Sequence, residues 1–287
     1  MIGALVYVLR AEHAARLPLV NGRLMHAAFF KILNNFSKSL GDLIHNECNL
    51  KPFTVSFLEP AEKIPSIEDN WSVRRGDLFF WRVTGLNAEI LQAALSVPVN
   101  EKIQVGSLSL RVVKMICDGN IRDDTGVVTI KDFIAAAKKF PPAKEINFNF
   151  ISPVSFRIDD FDAPYPRPEL IFPSLADKWT QAAMPAAVDK KVIRERAAQI
   201  RLTYWRGESK VFHLSQNRGT LAFCGNFVYD IGALSPDVHK VFILLSKFGE
   251  FAGVGRLSGQ GFGQVRISFE SQFFGAERHS MFKLLSK

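Results

Sequence analysis

The sequence predicts an α+β protein of two domains, because strand-like and helix-like segments follow the order β-α-β-β-α-β twice along the chain. The 287 residues suit two domains of about 140 residues each, a usual size for independent cores. The 47% of hydrophobic residues is ordinary for a folded chain and argues against disorder. We therefore expect two tandem ferredoxin-like domains, residues 1–142 and residues 143–287.

The first predicted domain begins with a strand and continues into a helix. Residues 2–9 are apolar and rich in residues that favour strands. Residues 24–36 carry apolar side chains at helical spacing, and His26 and Phe30 fall one turn apart on a different side of that helix. The later elements of this domain are two strands, a helix and a strand, at residues 53–58, 78–86, 87–95 and 102–116.

The pattern restarts around Pro141-Pro142, where the second domain is predicted to begin. Ser235-Pro236 supplies an N-cap followed by proline at the first helical position, so a helix is expected from there towards Lys247. The other predicted elements are a strand, a helix and three further strands, at residues 145–158, 174–184, 199–205, 220–229 and 262–269.

A glycine-rich segment, residues 249–263, lies between the last predicted helix and the last predicted strand. Glycine permits positive φ and close backbone approach, and successive free N–H groups can bind an anion. The segment is neither a P-loop nor a dinucleotide fingerprint, because no Gly-Lys-Ser/Thr follows and the order is helix to strand. Arg256 adds a cation. The glycines that define the loop are Gly253, Gly255, Gly259, Gly261 and Gly263, together with Gly249.

This segment resembles the C-terminal glycine-rich signature of the CRISPR-associated repeat-RNA endoribonucleases, the Cas-six type within the RAMP superfamily. The N-terminal stretches LPLVNGRLMHAAFFKIL and DLIHNECNLKPFTVSF also resemble that family, whereas between residues 60 and 200 only the order and length of segments agree. The resemblance implies two ferredoxin-like domains and processing of CRISPR RNA in antiviral defence. The alternative for the loop is tight packing between the two domains.

The resemblance also implies a catalytic site. His45 matches the family's catalytic histidine in the short connection expected before the FTVSF strand, and Lys51 is the natural stabiliser of developing negative charge. Some relatives carry a tyrosine on the first helix where this chain has Phe30, which transfers no proton. His26 is the obvious substitute, and which histidine acts as acid and which as base stays open. A lone histidine is, however, more often a surface or core residue.

RNA binding is expected to have a more diffuse footprint. The formal charge of +8 favours a polyanionic partner, and basic residues interleaved with Tyr204 and Trp205 suit phosphate contacts and base stacking. The alternative is a solvated strand edge. The candidate RNA-binding residues, besides Arg256 in the loop, are Arg194, Arg196, Arg201, Arg206, Lys210 and Arg218.

These patterns predict a cytoplasmic, metal-independent endoribonuclease that cleaves CRISPR precursor RNA within its repeats. The products would be 2′,3′-cyclic phosphate and 5′-hydroxyl ends. We expect no metal and no cofactor, because the sequence lacks clustered carboxylates and Cys/His sites. No apolar run is long enough to span a membrane, and the N-terminal residues lack a basic leader and a cleavage site.

The expected partners are precursor and mature guide RNA, with interference-complex subunits and a homodimer as further possibilities. One alternative is a non-catalytic RNA-binding RAMP subunit of an interference complex. Another is a basic two-domain binding protein unrelated to CRISPR.

Overall fold

The structure, a computed structural model, describes residues 1–47, 50–185, 187–215 and 218–271. The described residues form two compact units. The first comprises those among residues 1–127, 213–218 and 259–261, and the second comprises those among residues 128–212, 219–258 and 262 onward. Both units combine sheets with helices, as the sequence predicts. The domain boundary at residues 142 and 143 stays a prediction.

The first unit is built on an antiparallel sheet with strand order β3-β7-β1-β9-β8, to which β4 and β10 add short pairings. A smaller sheet has the order β2-β6-β5. The elements are β1 (Ile2–Ala11), β2 (Ala15–Pro18), α1 (Gly22–Phe36), α2 (Lys38–Glu47), β3 (Phe53–Val55), β4 (Glu59–Pro60), β5 (Ser66–Ile67), β6 (Asn70–Val73), β7 (Leu78–Gly85), α3 (Ala88–Leu95), β8 (Lys102–Val105), β9 (Leu108–Ile116) and β10 (Gly126–Val128).

The core of the first unit lies between the sheet and helix α1. The apolar stripe of α1 buries Phe29 fully, and its ring packs edge-on against Phe53 of β3 at 4.8 Å between centroids and against Trp81 of β7 at 6.3 Å. Tyr7 of β1 lies 5.4 Å from Trp81 between ring centroids, and its hydroxyl donates a hydrogen bond to the Ala94 carbonyl. These aromatic contacts fix α1 on the sheet, and with it the side chains on its other face.

The second unit contains a four-stranded sheet with the order β14-β15-β11-β16 and a small hairpin of β12 and β13. Helices α5 and α7 pack aromatic rings against this sheet, with Phe172 lying 4.4 Å from Phe242 and 5.9 Å from Phe148 between centroids. The elements are α4 (Ile130–Lys139), β11 (Ala143–Val154), β12 (Phe156–Ile158), β13 (Phe161–Ala163), α5 (Pro168–Gln181), α6 (Lys190–Ala197), β14 (Arg201–Ser215), β15 (Arg218–Asp230), α7 (Pro236–Ala252) and β16 (Val265–Ser271).

The structure differs from the sequence-based expectation in three helices. Residues 38–47, expected in part as a connection, form α2, because the Ser37 hydroxyl accepts from the Leu40 amide at 3.3 Å and Leu40 and Ile44 are buried one turn apart. Helices α4 and α6 were not expected, and each begins with a capping side chain, that of Thr129 and that of Asp189. No helix in the described ranges is both long and apolar enough to cross a membrane.

Candidate functional site

Three of the predicted site residues meet around the ring of Phe30 in the first unit. The His26 ring lies 4.8 Å from the Phe30 ring between centroids, and the His45 ring lies edge-on at 5.8 Å. The Lys51 Nζ lies 6.0 Å from the same centroid. Two imidazoles and an ammonium group are therefore brought together from α1, from α2 and from the segment before β3.

His26 is the more enclosed of the two histidines. Its ring also lies 5.6 Å from that of Phe53, and its Nδ1 lies 2.6 Å from the carbonyl oxygen of Gly259. Burial is the largest influence on this imidazole and lowers its pKa, with the electrostatic influence of Lys51 and His45 acting in the same direction. The Gly259 carbonyl acts in the opposite direction. The net lowering keeps His26 largely neutral at pH 7.

His45 lies in the last turn of α2 with its side chain exposed. The Lys51 Nζ donates to the carbonyl oxygens of Ile44 at 2.7 Å and of His45 at 3.3 Å. An ammonium group at the last carbonyls of a helix is favourable because it satisfies orphan acceptors and complements the helix dipole. Lys51 therefore stabilises the last turn of α2, which carries His45, and its ammonium group also lies close to His45.

The glycines of the loop at 259–261 and at the start of α1 permit a close backbone approach inside the first unit. A Cβ on Gly22 would lie 1.8 Å from the Gln260 carbonyl oxygen. Gly261 has φ of +89°, and a Cβ there would lie 2.5 Å from the Phe57 ring. A larger residue at Gly22 would push residues 259–261 away from α1, and one at Gly261 would push them away from Phe57. The glycines thus place the Gly259 carbonyl at the His26 ring.

The rest of the glycine-rich loop packs within the second unit. Gly255 and Gly263 both have positive φ, and a Cβ on Gly263 would lie 1.9 Å from the Val254 carbonyl oxygen. Gly253, with φ of +66°, ends α7 and donates its amide to the Gly249 carbonyl at 2.9 Å. These glycines serve close backbone packing, and the loop's expected role as an RNA contact stays a prediction.

Lys178 is a buried residue of this loop environment that the sequence reading missed. Its Nζ donates to the carbonyl oxygens of Ala252 at 3.0 Å and Gly253 at 2.9 Å, and to the Ser258 hydroxyl at 3.0 Å. Burial lowers its pKa to about 7. The only sequence signal was a lysine on the apolar side of a predicted helix, a position where lysine is rarely buried without partners.

Arg256 forms an ion pair with Asp162 of β13, and both side chains are largely buried. The other carboxylate oxygen of Asp162 accepts from the Leu221 amide at 3.2 Å. The carboxylate offsets the charge of Arg256, and Arg256 donates an amide hydrogen bond to the Ser155 carbonyl at 3.0 Å as well. These contacts give Arg256 a structural role within the second unit, and an RNA contact by Arg256 remains a prediction.

The remaining candidate RNA-binding residues lie on α6 and β14. Arg194 and Arg196 are exposed in the last turn of α6. Trp205 is 59% exposed and Tyr204 49%, which leaves two aromatic rings open beside the cations. The Lys210 Nζ lies 3.3 Å from a Glu208 carboxylate oxygen. Arg201, Arg206 and Lys210 are exposed along β14, and the side chain of Arg218 lies outside the described part of the chain.

Within the residues that the structure describes, no three or more His, Cys, Asp or Glu side chains are grouped so that they could hold a metal ion. The Phe30 cluster itself brings together two imidazoles and one ammonium group. They can move protons and stabilise negative charge.

Solved structures of similar fold include several Cas6 proteins and one described as an RAMP protein binding different RNA substrates. A Cas6 product complex superposes with a TM-score of 0.74 at 24% identity, covering 93% of this chain and 100% of that one. Thermus thermophilus Cas6 superposes with a TM-score of 0.68 at 22% identity, covering 93% of this chain and 98% of that one. At these identities the likeness concerns the fold.

Two family models match the sequence and together span both units. The CRISPR Cas6 N-terminal domain model matches residues 1–122, and the model of the CRISPR-associated endoribonuclease Cas6 matches residues 148–265. The chain belongs to the Cas6 family. This membership confirms the resemblance and excludes a binding protein unrelated to CRISPR.

A curated relative, the CRISPR-associated endoribonuclease Cas6 of Mycobacterium tuberculosis, is 22% identical over 193 residues, or 65% of this chain. The match spans 58% of the length of that relative.

Proposed function

We propose that this chain is an endoribonuclease that cleaves CRISPR precursor RNA within its repeats without a metal ion. The observation that carries the proposal is the convergence of His26, His45 and Lys51 around Phe30 in a member of the Cas6 family. The reaction is an attack of a 2′-hydroxyl on the adjacent phosphorus. It gives a 2′,3′-cyclic phosphate and a 5′-hydroxyl.

Each group in the cluster suits one need of this reaction. One imidazole takes the proton of the 2′-hydroxyl and the other gives a proton to the departing 5′-oxygen, each contributing about 10²- to 10⁴-fold in rate. Lys51 is the cation for the charge that develops on the non-bridging oxygens. Phe30, where some relatives carry tyrosine, cannot move a proton. His26 fills that role from one turn earlier on α1.

The strand orders support a ferredoxin-like assignment for both units. In a β-α-β-β-α-β fold the four strands are arranged 4-1-3-2, and the first unit has β9-β1-β7-β3 in this order. The second unit has β16-β11-β15-β14, which is the same arrangement. We propose two tandem ferredoxin-like domains, residues 1–142 and residues 143–287, with the glycine-rich loop as part of the second.

We propose that RNA is bound through the exposed cations of α6 and β14, with Trp205 and Tyr204 available for stacking. Each phosphate contact to single-stranded RNA is expected to contribute about 0.7 to the slope of log affinity against log salt. Arg206→Ala should therefore reduce that slope, and binding titrations at several salt concentrations measure it. Precursor and mature guide RNA in the cytoplasm are the proposed partners, with interference-complex subunits and a second copy of the chain as further ones.

The decisive experiment incubates the protein with its repeat RNA in excess chelator. Wild-type protein should cleave at full rate and leave a 2′,3′-cyclic phosphate, whereas His45→Ala should be slower by about 10²- to 10⁴-fold. His13→Ala is the matched control, because His13 is an exposed histidine of the same unit. Loss of cleavage in chelator, or full activity of His45→Ala, would contradict the proposal.

A second candidate function is a non-catalytic RNA-binding subunit of an interference complex. Phe30 favours it, because some relatives carry a tyrosine where this chain has a side chain without a hydroxyl. The same incubation separates the two functions. Repeat RNA that is bound at stoichiometric protein but stays intact on prolonged incubation would support the subunit and contradict the enzyme.

A further inference from the structure

The hydrogen bond between His26 and Gly259 fixes which nitrogen of the imidazole carries the proton. A backbone carbonyl oxygen can only accept, so the Nδ1 that lies 2.6 Å from it must be the donor. In the neutral ring the other nitrogen, Nε2, then holds a lone pair. A histidine in this tautomer is a base at Nε2 and has no proton to give there.

The surroundings hold both partners of this hydrogen bond in place. The His26 ring lies between Phe30 and Phe53, with centroids at 4.8 and 5.6 Å, so its rotation is restricted. The Gly259 carbonyl is held in place by the packing of the next residue. Gly22 has no Cβ, so the Gln260 carbonyl can lie directly against α1. The geometry is thus set by packing.

The charge environment favours the same protonation state. Burial lowers the pKa of His26 most, the hydrogen bond to Gly259 raises it, and nearby Lys51 and His45 lower it further, so the net pKa lies below its usual value and the neutral ring predominates at pH 7. After it has accepted a proton at Nε2, the imidazolium would donate a charge-assisted hydrogen bond from Nδ1 to the same carbonyl. The loop therefore stabilises the product of proton abstraction as well as the correct tautomer.

We propose that the Gly259 carbonyl is a positioning group which fixes His26 as the Nδ1–H tautomer and makes its Nε2 the general base, leaving His45 as the general acid. The inference rests on the proposed function. The 2′-hydroxyl gives its proton to Nε2 of His26 as its oxygen bonds to phosphorus. The bond from phosphorus to the 5′-oxygen breaks, and that oxygen takes a proton from His45.

A substrate with sulfur in place of the bridging 5′-oxygen separates base from acid, because a thiolate leaves without being protonated. His45→Ala should be slow on the normal repeat RNA but recover to within roughly tenfold of wild type on the sulfur substrate, whereas His26→Ala should stay about 10²- to 10⁴-fold slow on both. Rescue of His26→Ala, or no rescue of His45→Ala, overturns the assignment. If wild-type protein cleaves neither substrate, it is the proposed function that fails.

A second measurement tests the positioning role without any turnover. Nitrogen NMR of the histidine rings above the pKa of His26 should show the ring proton on Nδ1, whereas an unconstrained histidine side chain prefers to carry it on Nε2. Gly22→Ala displaces residues 259–261 and should return His26 towards the Nε2–H form, while Asn35→Ala, exposed near the end of the same helix, should leave it unchanged. A proton on Nε2 of His26 in the wild-type protein refutes the inference.

Discussion

Replacing Lys178 with methionine tests how the glycine-rich loop is stabilised. The methionine side chain has a similar length but no charge, so the variant removes three hydrogen bonds, to the Ala252 and Gly253 carbonyls and to the Ser258 hydroxyl. Leaving three buried acceptors without this donor costs about 1–3 kcal/mol each. Against that, the variant no longer buries an ammonium group, which itself costs several kcal/mol.

These two effects oppose each other at pH 7, so the dependence on pH is the sharper observable. The pKa of Lys178 falls from 10.5 to about 7 on folding, so between pH 7 and 10.5 the unfolded chain binds more protons than the folded one. The free energy of unfolding must therefore rise with pH in this window. Between pH 7 and 9 the rise is ~2 kcal/mol in the wild-type protein, and this contribution is absent in Lys178→Met.

Chemical denaturation at pH 7 and pH 9 measures the effect, with the change in wild type compared with the change in the variant. All other titrating groups are common to both proteins and cancel. Lys240→Met is the control, because Lys240 is exposed on α7 and its loss should leave the pH dependence as in wild type. Parallel pH dependences for wild type and Lys178→Met would refute the reasoning.

Three further outcomes are expected. Thr84→Val removes the acceptor of the Thr54 amide and the partner of its hydroxyl, at 3.0 and 2.7 Å, and should lower the free energy of unfolding by about 1–3 kcal/mol in denaturation experiments. Asn21→Ala removes a buried acceptor of the Leu58 amide and should lower the thermal midpoint, whereas an unchanged midpoint would contradict this role. Because the pKa of His26 is lowered and protonation disables a base, the acidic limb of the pH–rate profile should lie below pH 6.5, and a limb above that value would exclude it as the base.

Much of the secondary structure could be predicted where the hydrophobic pattern and the capping residues agree. Ser235-Pro236 marks the start of α7, and Asn87 caps α3 by accepting from the Ile90 amide. Strand β14 runs ten residues beyond the predicted end at Trp205, because a polar stretch that pairs with β15 has no alternating pattern. Gly207 lies against Gly225 in that hairpin, where a Cβ would clash with backbone. The length of β14 therefore depends on its pairing with β15, which the local sequence does not contain.

The candidate site was only partly predictable for a similar reason. The helical spacing of His26 and Phe30 follows from the sequence, and the resemblance supplies His45. The contact of His26 with Gly259 joins residues far apart in the chain, so no local pattern contains it. The acceptors of Lys178 are likewise positioned by tertiary structure. The Gly253 carbonyl comes within reach only because α7 ends at Gly253, where φ is positive.

The hydrogen bond from His26 to Gly259 spans 233 positions of the sequence, and this separation bears on when the protein can act. A chain still on the ribosome carries both histidines and Lys51 long before Gly259 is made. At about 5–20 residues per second the delay from Lys51 to Gly259 is roughly 10 to 40 s. During synthesis His26 has no Gly259 carbonyl to select its tautomer, so the proposed general base is positioned only after Gly259 has been made.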